Sequence, residues 1–219
     1  MAAMASLVQD VWLGWEPRLR ARRLAPWDEA RVRLVFHLDA GVTLDDGRLA
    51  GVLETMAEGL EVITWEPRGQ GASGGRFGPE VLDDARRLVS ETASRWGPLP
   101  LVVGGQGLGG WLALALAGTP GVAAAFALAP SLASAGEEPS SPLRAALVKA
   151  FARPSVPVPT LVVEGRERPP AEAEAVSQWL ARDRRGSRLA IAGTDADVLL
   201  PPWPATVAAW ARAAGEGAP

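Results

Sequence analysis

The chain reads as an α/β protein: a mostly parallel sheet of about eight strands with helices on both faces. Two observations predict this. Short apolar runs alternate with helical patterns along almost the whole length, the rhythm of repeated strand-helix-strand units. In addition, the run Leu101-Val102-Val103 enters the glycine cluster Gly104-Gly105-Gln106-Gly107-Leu108-Gly109-Gly110 and continues as an Ala/Leu stretch, which is the pattern of a strand, a sharp turn and a helix.

Taken in order, residues 8–23 alternate apolar and polar positions (Val11, Leu13, Trp15) around the break at Glu16-Pro17, and predict an antiparallel hairpin. Residues 31–38 are the first apolar run and predict a strand, followed by a helix over 44–58. A strand is expected over 60–65. The turn Pro67-Arg68-Gly69-Gln70-Gly71 then leads to a helix over 79–96, with Pro79 suited to a first helical turn. Residues 101–104 form the strand before the glycine cluster, and 108–117 the helix after it. The remaining expectations are strands at 122–128, 160–163 and 187–191, and helices at 142–151, 171–183 and 204–214. The hairpin brings the strand count to eight. Residues 136–142, rich in Glu, Pro and Ser, predict a minimal lid, too short for a cap domain. One domain over 1–214 is expected, with a disordered tail at 215–219.

Composition narrows the function classes. With 219 residues, 48% hydrophobic and 21% charged, the chain can bury one good core. It has no cysteine, which excludes disulfides, thiolate metal sites and a cysteine nucleophile. A net charge of -3, with no basic run beyond residues 18–23, gives no footprint for nucleic acid. The N-terminal residues lack the pattern of a signal peptide and no apolar run is long enough for a bilayer, so a cytoplasmic protein without membrane contact is expected.

Four segments in a fixed order resemble the α/β-hydrolase superfamily, and the resemblance covers residues 11–212. Gly105-Gln106-Gly107-Leu108-Gly109 is similar to the G-x-S-x-G nucleophile elbow. His37-Leu38 resembles the His-Gly pair after the third strand, residues 65–74 the D-x-R-G-x-G-x-S segment, and residues 159–165 the strand that presents the acid. The resemblance implies an α/β-hydrolase fold whose triad positions fall on Gly107 for the nucleophile, Arg168 for the acid and Ala196 for the histidine. None of these can perform its expected role. Around them, His37, Leu38, Asp39, Gln106 and Leu108 are expected to line the vestigial pocket and oxyanion site. Asp39 has two open orientations: into that pocket, where its charge would oppose an oxyanion, or outward onto the loop backbone.

Other constellations carry less. The glycine cluster lacks the Gly-Lys-Ser/Thr ending of a phosphate loop, although the bare start of the following helix could take a small anion. Asp195, Asp197, Glu167 and His37 could suggest a metal, but loop aspartates are more often turn formers, so no metal and no cofactor are expected. Ser73 is expected to be structural. Among nine tryptophans, Trp12, Trp15, Trp27, Trp65, Trp111, Trp179, Trp203 and Trp210 are spread over most elements; Trp203 and the hairpin pair Trp12 and Trp15 are candidate interaction surfaces. The expected function is a catalytically inactive hydrolase-like module that binds or scaffolds a protein partner, with a small ligand and an oligomer left open. The alternative is an ester or amide hydrolase with a rearranged set drawn from His37, Glu167 and Asp195.

Overall fold

A computed structural model of the chain describes residues 7–26, 29–132, 141–151, 158–181 and 186–217. The expected lid, apart from Ser141 and Pro142, and Trp27 lie outside these residues. One eight-stranded sheet runs in the order β1-β2-β4-β3-β5-β6-β7-β8, comprising Leu7–Leu13, Leu19–Ala25, Arg33–His37 (β3), Glu61–Trp65 (β4), Leu101–Gln106 (β5), Val122–Leu128 (β6), Thr160–Gly165 (β7) and Gly186–Ile191 (β8). The hairpin strands pair antiparallel, β1 with β2 and β2 with β4; every pairing from β4 to β8 is parallel.

Strand alternation assigns the two faces. On β3, Val35 points into a core made with α2 (Val81–Trp96), α3 (Leu108–Leu116), α4 (Pro142–Phe151) and α5 (Pro170–Leu180), whereas Leu34 and Phe36 point into a core made with α1 (Gly47–Ala57) and α6 (Trp203–Glu216). Helices therefore cover both faces, which is why β3 to β7 are nearly continuous apolar runs.

Helix ends differ from expectation where caps decide them. Helix α1 begins at Gly47, because Asp46 accepts the backbone N–H groups of Arg48 and Leu49 and so acts as its N-cap. Pro79 and Glu80 form a turn ahead of α2. The tail expected from Gly215 starts later: α6 continues to Glu216, and Gly215 is buried with no room for a Cβ beside Val32. A 3-10 turn at Asp195–Leu199, not foreseen, follows β8; Asp197 caps it by accepting Thr194 N (2.6 Å) and Thr194 Oγ1 (2.9 Å). No helix among the described residues is long and apolar enough to cross a membrane.

A buried arginine ties the sheet to α2. Arg33 donates to Glu61 Oε2 at 2.6 Å and to the carbonyls of Thr92, Trp96 and Gly97 at 3.2, 2.8 and 2.7 Å, so its charge meets the negative end of the helix. Glu61 also accepts from Arg23 at 2.6 Å. Glu61→Ala would leave the Arg33 charge buried without its counterion; a loss of about 3–5 kcal/mol is expected, read from urea unfolding. A loss below about 1 kcal/mol would show that the helix-end carbonyls alone suffice.

Candidate functional site

Gly107 stands at the sharp turn between β5 and α3 with φ 56° and ψ -122°, in the left-handed half of backbone space that favours glycine. Its N–H donates to Leu128 O at 3.0 Å, and its carbonyl accepts Gly110 N and Ser131 N, both at 3.1 Å, so the turn is held on both sides. Gly105 and Gly109 let β5, the end of β3 and α3 meet: a Cβ on Gly109 would overlap the His37 carbonyl. The glycine cluster is thus dictated by close backbone approach.

Asp39 completes the turn. It follows β3, and its Oδ1 accepts the Leu108 N–H and the Ala40 N–H, each at 2.8 Å. Of its two orientations, the inward one is found, and it bonds the loop backbone as well. A Cβ built on Gly107 would fall inside the Asp39 carboxyl group. The carboxylate therefore occupies the volume in which a residue with a side chain at 107 would begin, and it takes up two N–H donors that converge beside the elbow.

The other expected pocket residues separate. His37 and Leu38 continue the alternation of β3: Leu38 is buried with Leu34 and Phe36 on the α1–α6 face. His37 is fully buried on the opposite side, where Trp65 Nε1 donates to its Nδ1 at 3.0 Å and the two rings meet edge to face. Burial pushes its pKa down to about 3, so the ring is neutral, with Nε2 having no partner. Gln106 is half-buried at the end of β5, and the Leu108 side chain packs into the α2–α5 core.

Arg168, on which the resemblance places the acid, lies in an ion network. Arg168 is buried and pairs with Glu164, donates to Pro130 O at 2.6 Å, and sits 3.5 Å from Asp195 and 3.8 Å from Glu172. Glu164 also holds Arg188, and Glu172 accepts Ser131 Oγ and Leu132 N, both at 3.1 Å. Asp195 accepts Gly165 N at 2.9 Å. Ala196 is exposed on the 3-10 turn. Of the set His37, Glu167 and Asp195, His37 ends β3 and is fully buried, whereas Glu167 and Asp195 lie beyond the ends of β7 and β8; β5 and β6 separate β3 from β7 by three strand spacings, roughly 14 Å, and Glu167 is exposed.

Residues 65–74 supply scaffolding, part of which sequence reasoning missed. Buried Glu66 accepts Leu44 N at 3.0 Å and Ala72 N at 2.8 Å, tying together the loops after β3 and β4. Ser73 Oγ donates to Glu66 O (2.7 Å) and accepts Arg20 N (2.8 Å), a structural role as expected, while Arg68 makes a two-pronged pair with Asp84. The signal for Glu66 was its place in a loop-forming motif; nothing in the sequence marks its partners.

The family model described as serine aminopeptidase, S33, matches residues 34–200. No sequence among curated proteins matches. Solved structures share the architecture at low identity. The Pyrococcus furiosus esterase Pf2001 is 13% identical, covering 96% of this chain and 92% of its own, with a TM-score of 0.75. An alpha-beta serine hydrolase homologue from Coxiella burnetii is 15% identical, covering 94% and 96%, with a TM-score of 0.69. A Pyrobaculum calidifontis esterase is 19% identical, covering 94% and 85%, also at 0.69.

Two outcomes are expected of this site. Gly107→Ser should destabilise the fold through backbone strain of about 1–3 kcal/mol and through collision with Asp39. The second part should vanish in an Asp39→Ala background, so the double-mutant cycle should give a coupling of about 0.5–3 kcal/mol; additivity would contradict the contact. His37 is the chain's only histidine. Between pH 6.5 and about 3 the unfolded chain binds a proton at this residue that the folded chain does not, so stability falls as pH falls through that window. His37→Gln should flatten the slope of stability against pH by up to one proton, about 1.4 kcal/mol per pH unit. A folded-state imidazole resonance titrating near 6.5 would contradict the buried neutral ring.

Proposed function

Since the chain belongs to the serine aminopeptidase S33 family of α/β hydrolases, we propose that it is a member that has abandoned acyl transfer at the elbow and acts by binding, as a protein-docking or scaffolding module. The observation that carries this is the Asp39 carboxylate in the elbow. Acyl transfer needs a nucleophile at the turn and free N–H donors for the oxygen that becomes negative. Here position 107 has no side chain, and the Leu108 and Ala40 donors already hold a carboxylate oxygen. An incoming oxyanion would have to displace a group of the same charge.

The rest of the triad supports the same conclusion. Arg168 is fixed among Glu164, Glu172 and Asp195, so the acid position offers a cation where a carboxylate would orient a base. A hydrolase built around His37 gains no support, since the ring is sealed from solvent and committed to Trp65. A small-molecule role at the elbow draws no help from the cavity of about 570 Å³ between α2 and α4, which is lined by residues such as Leu82, Arg86 and Lys149 and by none of the elbow.

The test is a serine-reactive phosphonate probe with a panel of ester and amide substrates, applied to the wild-type chain and to Asp39→Ala, Gly107→Ser and the double variant. No labelling and no turnover above buffer are expected of the wild type. Turnover by the wild type that disappears in His37→Gln or Asp39→Asn would overturn the proposal.

A further inference from the structure

The first strand, β1, is an edge of the sheet, and among the described residues it lacks the devices that usually protect one. Its outer side presents unpaired backbone N–H and C=O groups, and such edges are normally blunted by lysine, proline, a bulge or a cover. β1, Leu7-Val8-Gln9-Asp10-Val11-Trp12-Leu13, has no proline or lysine, and pairs with β2 without a bulge over all seven residues. Its one charge is turned inward along the sheet: Asp10 meets Arg22 at 2.6 Å and Arg20 at 2.8 Å, and the Arg22 hydrogen bond, with Arg20, holds its carboxyl down to about 2. Among the described residues, three of the five exposed large apolar side chains are on this strand: Leu7 (55%), Val8 (51%) and Trp12 (41%). The opposite edge, β8, carries exposed Arg188 and none of the five.

We infer that β1 pairs antiparallel with β1 of a second copy, centred on Asp10, to join two sheets into one. The occupant follows from the strand's self-complementarity. A two-fold axis normal to the sheet keeps the faces of both copies aligned only if opposed residue numbers sum to an even value. At a sum of 20, Val8 lies opposite Trp12 of the partner, Trp12 opposite the partner's Val8, and Leu7 opposite the partner's Leu13. Every exposed apolar residue of the strand then meets an apolar one. A shift by two residues either way breaks this: at 18 Val8 faces an aspartate, and at 22 Trp12 does. At the centre the two Asp10 side chains face each other, but each is neutralised from its own β2 by Arg20 and Arg22. The pairing is independent of the elbow.

The full chain in solution tests this. Light scattering behind gel filtration, from low to high micromolar, should give twice the 22.9 kDa chain mass at the high end. Val8→Lys and, separately, Trp12→Lys should return the mass to one chain with an unchanged melting temperature, while Leu200→Lys, at an exposed apolar site elsewhere, should leave the dimer intact. The register has its own readout: because the chain has no cysteine, a spin label on Leu7→Cys should report a pair distance of roughly 20 Å, six residues along the joined strands. A single-chain mass throughout, a dimer indifferent to both lysine variants, or a label distance of roughly 13 Å or less or roughly 26 Å or more, as the shifted registers would give, would overturn the inference.

Discussion

One carboxylate, shared between two backbone N–H groups, sets the character of the elbow. Asp39 comes from the loop after β3, and the Leu108 N–H from the first turn of α3, so the bond between them joins two elements, while the Ala40 N–H bond fixes the carboxylate within its own loop. Hydrogen bonds to a charged acceptor contribute about 1.5–3 kcal/mol each, and the positive end of α3 favours the same charge. The arrangement demands a residue without a Cβ at 107, and glycine also accepts the positive φ of that turn without strain. Gly107 and Asp39 thus form one device: neither can be changed without affecting what the other can do.

The far end of the site is organised on the same principle, with charge neutralised internally. Arg168 draws Glu164, Glu172 and Asp195 together, and those carboxylates in turn hold Arg188, the Ser131–Leu132 segment and the N–H of Gly165. These groups hold β6, β7, β8 and α5 to one another. The two apolar cores contain none of these charged residues, so the fold does not by itself fix the chemistry of the site.

Periodicity made the architecture legible before any coordinates: runs such as 122–128 and 60–65 have the length and β-branched or small-residue content of buried strands, and the glycine cluster marks the elbow. Cap chemistry and side-chain direction in loops were less legible. The helix expected from residue 44 starts at Gly47 instead, because it is Asp46 that caps α1. Leu38 and His37 were assigned to a pocket, although the alternation already visible in Leu34, Val35 and Phe36 places them on opposite faces; that signal was present and could have been extended by two residues. The direction of Asp39 had no such signal, because it is fixed by donors 69 residues apart in sequence. The carboxylates around Arg168 come from β7, α5 and the turn after β8, and only the fold brings them together.

The most direct measurement is the hydrogen bond itself. In isotopically labelled protein, a scalar coupling transmitted across the bond from the Leu108 amide nitrogen to the Asp39 side-chain carboxyl carbon would register the contact without substitution. The account predicts that this correlation is present in the wild-type chain and absent in Asp39→Ala. A wild-type spectrum with no such coupling, and a Leu108 amide proton that exchanges as freely as in Asp39→Ala, would contradict it.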